Sequence, residues 1–195
     1  MLVKGATGVT LASLTIDGGA ADGGATHFAN CATVGFTLGI YYRNSSGTVD
    51  STNTTNIRSA ACCSAAVFAE SGSGGVANLD ARGSALDNYG LDGIECNGLS
   101  TACTITGNTL RGRGRVDDEV QFGVVIRFGA AAAMSGNVIR DHFFTPRGGD
   151  DSIALGILLV YATPDSSPYL LRDNTFIGNE LDVLRTLRTS SSVAL

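Results

Sequence analysis

Five times along the chain a small residue precedes a β-branched one, and an alternating apolar–polar stretch follows. The pairs are Gly39-Ile40, Ala66-Val67, Gly93-Ile94, Gly123-Val124 and Gly156-Ile157. The β-branched members stand at 40, 67, 94, 124 and 157, hence 27, 27, 30 and 33 residues apart. Alternation with a period of two predicts strands, and self-similarity at this spacing predicts a stacked repeat. Each repeat carries a second signature: an apolar residue, Asn three later, and an apolar residue two beyond. It occurs in Ile105 to Leu110, Met134 to Ile139 and Leu171 to Phe176. Weaker forms run from Val49 to Ile57 and from Leu79 to Leu86, and Leu14 takes the Asn position in Leu11 to Ile16. Two strand signals per repeat, joined by tight turns, cannot pair as hairpins at this spacing. They can stack on the same strand of the next repeat.

These Gly-Ile strand starts and Gly-Asn-x-apolar turns resemble the right-handed parallel β-helix group, the pectate-lyase-like superfamily. The resemblance covers about residues 9 to 183 and is specific for fold rather than activity. It implies an all-β, single-domain solenoid of five to six coils over residues 1–188, with a disordered tail at 189–195. It also implies an internal ladder of stacked side chains at Asn108, Asn137 and Asn174. A buried amide satisfied by its neighbours above and below is physically sound. Stacking predicts an inward column Ile40, Val67, Ile94, Val124, Ile157, and a second one Tyr42, Ala69, Cys96, Ile126, Leu159.

The outward rows are then Tyr41, Phe68, Glu95, Val125, Leu158 and Arg43, Glu70, Asn97, Arg127, Val160. They present a stripe of Tyr41, Arg43, Phe68, Glu70, Glu95, Asn97 and Arg127. Aromatic rings stack on sugar faces, while carboxylates and guanidinium groups bond hydroxyls or uronate. The plainer reading is a solvated face laced with ion pairs such as Arg43–Glu70, worth little if exposed. Two segments read as long loops feeding this strand, Arg111 to Glu119 and Arg140 to Asp151, and insertions on one side of a solenoid are often a binding face. They carry Arg113, Arg115, Asp117, Asp118, Glu119, His142, Arg147, Asp150 and Asp151. Asp117, Asp118, Glu119, Asp150 and Asp151 are oxygen donors that suit Ca²⁺, the one cofactor the residues invite. Solvated turns are the plainer reading here too.

Composition narrows the partners. A net charge of -5 argues against nucleic acid, which needs a basic stripe. No apolar run reaches the roughly 18–20 residues of a membrane span. The start lacks a signal peptide, and a repeat that begins almost at once reads as a truncated frame or a piece of a longer chain. An uncapped first coil would permit end-to-end self-association. Of five cysteines, Cys96 and Cys103 flank a six-residue turn. They are either a disulfide, which would indicate an oxidising compartment, or two small buried hydrophobes.

The functional expectation is an extracellular or cell-surface protein that binds or processes a polysaccharide. If it is an enzyme, it is a lyase or hydrolase acting on an acidic polymer. Glu95, Arg127, Asp118 and His142 are the catalytic candidates, with Tyr41, Arg43, Phe68, Glu70, Asn97, Arg115 and Arg147 binding substrate. Pectin hydrolases of the resembled group carry Asn-x-Asp, Asp-Asp, Gly-His-Gly and Arg-x-Lys. Here Asn88 to Gly93 and Asp117-Asp118 stand at suitable coil positions, and the last two motifs are missing. The alternative is a non-catalytic surface or adhesion β-helix, or a piece of one.

Overall fold

The computed structural model describes residues 1–19, 37–59, 63–145, 151–160 and 170–186. Among the described residues every strand pairing is parallel and joins one coil to the next, so the chain winds as a parallel β-helix. The first sheet stacks β1 (Leu2–Lys4), β4 (Thr37–Arg43), β7 (Ser64–Glu70), β10 (Asp92–Asn97), β13 (Phe122–Arg127), β16 (Leu155–Val160) and β19 (Leu181–Thr186). The second stacks β2 (Val9–Ala12), β5 (Ser46–Asp50), β8 (Ala77–Arg82), β11 (Thr101–Thr106), β14 (Ala131–Ser135) and β17 (Leu170–Arg172). The third stacks β3 (Thr15–Asp17), β6 (Asn53–Thr55), β9 (Ala85–Asp87), β12 (Thr109–Val116), β15 (Val138–Phe144) and β18 (Thr175–Ile177). Each coil therefore has three strands, one more than the two signals read from the repeat. Among the described residues there is no helix long and apolar enough to cross a membrane.

The register follows the predicted columns. Ile40, Val67, Ile94, Val124 and Ile157 are successive Cα partners, and Val183 extends the row. All but Val183 are buried, and this column is the spine of the core. The small residue before it has a steric cause. A Cβ on Gly39, Gly93, Gly123 or Gly156 would lie 2.6, 2.5, 2.5 or 2.7 Å from the carbonyl oxygen of the next coil. The first sheet can stack at strand spacing only if that position stays small.

The Gly-Asn signature also has a local cause. The turn from second to third sheet needs a left-handed residue in every coil, at Ser13, Ser51, Gly83, Gly107, Gly136 and Asp173. The next residue points inward and forms the ladder. Asn108 Nδ2 donates to Ala81 O at 2.8 Å and to Asn137 Oδ1 at 3.1 Å. Asn137 Nδ2 repeats the pattern on Ile105 O and Asn174 Oδ1, both at 2.8 Å. Ser84 continues the column, accepting from the Thr52 backbone N–H at 3.1 Å.

Two expectations change. Part of each supposed loop is strand: 111–116 lies in β12 and 140–144 in β15, paired with each other across a bulge between Arg111 and Gly114. The apolar–polar alternation is masked there by the Arg-Gly-Arg-Gly-Arg run, in which glycine takes the inward place. A Cβ on Gly112 would meet Asp141 O at 2.5 Å. The tail 189–195, together with Arg147 and Asp150, lies outside the described residues.

Candidate functional site

The outer face of the first sheet is not the solvated stripe that alternation suggests. Phe68, Val125 and Leu155 are buried there, and so are Asp92 and Glu95, at 2% and 0% exposure. Both carboxyls stand on β10, the middle strand of seven. Ala65 and Phe122 are the Cα partners of Asp92; Phe68 and Val125 are those of Glu95. Each acid thus has an apolar neighbour in the coil on either side.

Glu95 Oε1 gathers three donors. Arg127 Nε reaches it at 2.6 Å, Arg127 Nη2 at 2.5 Å and Asn97 Nδ2 at 3.1 Å. Glu95 Oε2 and Asp92 Oδ1 are buried and find no donor, although the two carboxyls are in hydrogen-bonding contact. Two carboxylates cannot bond to each other; one proton shared between them satisfies both oxygens. Burial, and then the charge of Glu95, push the Asp92 carboxyl well above the ordinary carboxylate range. The proton is therefore assigned to Asp92, and the charge to Glu95 on its arginine. Burial opposes the Arg127 charge, but Glu95 and Asp92 hold its pKa above the usual value.

A second group of acids adjoins the first. Glu119 is buried, with Oε1 unpartnered, and its carboxylate lies 3.7 Å from Arg113 Nη2. Burial raises its pKa to about 8, with Arg113 working the other way. It rests against the backbone of Gly90, where a Cβ would come within 2.6 Å of Oε2. Arg113 forms a bidentate pair with Asp118 at 2.8 and 2.9 Å. Burial opposes that pairing, yet Arg113 leaves the Asp118 carboxyl below its usual value. On the other side, Glu70 accepts from the Tyr41 hydroxyl and pairs with Arg43 at 3.2 Å. Burial first, then Glu70, raise the Tyr41 pKa. The Tyr41 and Phe68 rings are 5.2 Å apart.

The structure thus brings Glu95, Arg127 and Asn97 together, with Tyr41, Phe68, Glu70 and Arg43 alongside and Asp118 and Glu119 across the first sheet's edge. It does not bring in His142. That residue lies in β15, fully buried inside the coil, with Nε2 hydrogen-bonded to the Tyr89 hydroxyl and Nδ1 2.8 Å from Asn179 Oδ1. Asn179 Nδ2 donates to Ile139 O, so its oxygen is the acceptor; His142 carries its proton on Nδ1 and accepts from Tyr89. Burial lowers its pKa to about 4. Arg115 is on the third sheet, 3.7 Å over the Phe143 ring. Among the described residues no three His, Cys, Asp or Glu side chains gather to hold a metal ion.

Asp92 was missed because strict alternation from Ile94 turns it inward. The chain breaks that alternation at Gly93, which drops out of the ladder between the Asp92 and Ile94 pairings, and so sets residues three apart on one face. Cys96 and Cys103 form a disulfide, with Cα atoms 6.6 Å apart, and Cys63 is disulfide-bonded as well. No protein-family model, curated protein or solved structure matches this chain.

Proposed function

We propose that this β-helix is an extracellular protein that binds and cleaves a polysaccharide by acid–base chemistry on the outer face of its first sheet. One observation carries the reading. The middle strand buries two carboxyls in contact with each other, one of them clamped by Arg127, and a third buried acid, Glu119, adjoins them. Unpaired buried oxygens are expensive, and perturbed acids of this kind cluster at functional sites. In a hydrolytic step, neutral Asp92 gives its proton to the glycosidic oxygen as the bond to the anomeric carbon breaks. Water adds to that carbon and loses its proton to solvent, which returns one to Asp92. Tyr41, half-buried beside the Phe68 ring, offers a ring surface to the sugar. The likeness of the repeat to the pectate-lyase-like superfamily supports a glycan substrate, and the Cys96–Cys103 bridge supports an oxidising compartment.

The full burial of Glu95 favours a second reading, a non-catalytic scaffold in which these acids and Arg127 form a closed polar network. Binding to a glycan panel, with wild type, Glu95→Gln and Arg127→Ala compared as folded proteins, separates the two. Loss of binding in both variants supports the glycan face. A wild type that binds no glycan, or variants that bind as well as it does, leaves the scaffold.

A further inference from the structure

We propose that the outer face of the third sheet is a separate binding site for an anionic polysaccharide, gripped by Arg111, Arg140 and Arg115. Arg111 in β12 and Arg140 in β15 are direct Cα partners in adjacent coils. Like charges placed opposite each other across strands destabilise a sheet unless an anion lies between them. A single carboxylate supplies that here: Asp141 Oδ2 is 2.8 Å from Arg140 Nε and 3.4 Å from Arg111 Nε. Asp141 reaches this place from a left-handed backbone, at φ 62°. Both arginine side chains remain open to solvent, Arg111 at 57% and Arg140 at 41% exposure.

The same two strands carry a third guanidinium. Arg115 Cζ lies 3.7 Å from the centroid of the Phe143 ring in the next coil, and the residue stays exposed. The other arginines are committed by contrast: Arg127 to Glu95 and Arg43 to Glu70 on the first sheet, and Arg113 of β12 to Asp118. Asp87 stands in the outward row next to Arg111, so the local excess of positive charge is small, and arginine geometry rather than field strength sets the preference. Planar forks one strand spacing apart match carboxylate or sulfate groups repeating along an extended sugar chain. The Arg-Gly-Arg-Gly-Arg run is what builds this face. Its glycines take the places where a side chain would foul the coil or strain the bulge; Arg111 and Arg115 are left exposed, while Arg113 turns to Asp118 and Glu119.

The inference does not depend on catalysis at Asp92, and its test keeps the two apart. Binding of polygalacturonate, dextran sulfate and unsubstituted dextran is measured by calorimetry across a salt series. Wild type is compared with the doubly substituted Arg111→Ala/Arg140→Ala, the doubly substituted Arg111→Lys/Arg140→Lys, and Asp92→Asn. Wild type is expected to bind at least one of the two anionic polymers, weakening with salt, and to ignore dextran. The alanine pair should lose about tenfold or more in affinity, and the lysine pair should fall between because charge stays and the fork goes. The same loss is expected when the alanine pair is made in the Asp92→Asn background. Circular dichroism melts confirm that each variant is folded; these are exposed positions. No binding to either anionic polymer, unchanged affinity in the alanine pair, or equal binding of dextran would overturn the site. Duplex DNA bound as tightly as the glycans would overturn its assignment to a polysaccharide.

Discussion

Glu119→Gln asks whether the third acid of the first-sheet face is folded in as a neutral group. Glu119 is 6% exposed, and burial lifts its pKa from 4.5 to about 8 against the pull of Arg113. As pH rises past 4.5, the unfolded chain gives up this proton while the folded protein keeps it until about pH 8. The folded state binds more protons throughout that window, so stability falls with rising pH by about 1.4 kcal/mol per pH unit. The contribution is whole below pH 4.5 and gone above about pH 8. Between about pH 5 and about pH 7 the loss comes to about 3 kcal/mol. Glutamine keeps the shape and cannot ionise, and Arg113 retains Asp118. The stability of the variant relative to wild type should therefore climb by about 3 kcal/mol over that range. The chain has no Trp, so urea titrations are followed by far-ultraviolet circular dichroism. A gap between the two proteins that stays constant with pH would refute the reasoning, because Glu119 would then titrate alike in both states.

Three further outcomes follow from the packing. The His142 imidazole, with its pKa near 4, should stay neutral with its proton on Nδ1 down to about pH 5 in nitrogen-detected NMR, and titration near 6.5 would contradict its placement. Because the folded value is depressed, its contribution to stability is present above 6.5 and is lost as pH falls toward 4. Asn137→Ala removes the donor to Ile105 O and the acceptor used by Asn108, and should cost about 2–4 kcal/mol in urea unfolding; a cost near zero would remove the ladder from the account. Replacing Cys96 and Cys103 together by Ala opens a loop closed over a sequence separation of 7 and should cost about 2–3 kcal/mol by the loop-entropy relation, read from the same titration.

The fold was legible because its causes are local and repeat. A carbonyl one coil away forbids a side chain at Gly39, Gly93, Gly123 and Gly156, and a left-handed turn precedes Asn108 and Asn137. Each constraint recurs in coil after coil, so it writes a period into the sequence. The site is less legible for the opposite reason. Glu95, Arg127 and Asn97 were readable because they obey alternation from Ile94. Asp92 breaks it at one bend, and the burial of the face depends on packing that no local pattern encodes. Arg111 to Val116 looked like a loop because glycine stands where an apolar residue would mark a strand. His142 looked available because a polar residue in a presumed loop is taken as exposed, whereas Tyr89 and Asn179 give it partners inside the coil.

The central claim is that Asp92 holds a proton which the first-sheet face uses on a glycan. It is tested most directly by turnover of a polysaccharide panel, read by reducing ends and by ultraviolet absorbance of unsaturated uronate, with wild type beside Asp92→Asn. The account predicts reducing ends without the unsaturated product in wild type, and no turnover in Asp92→Asn at unchanged melting temperature. Turnover that survives in Asp92→Asn, or a wild type inert on every polymer, would contradict it.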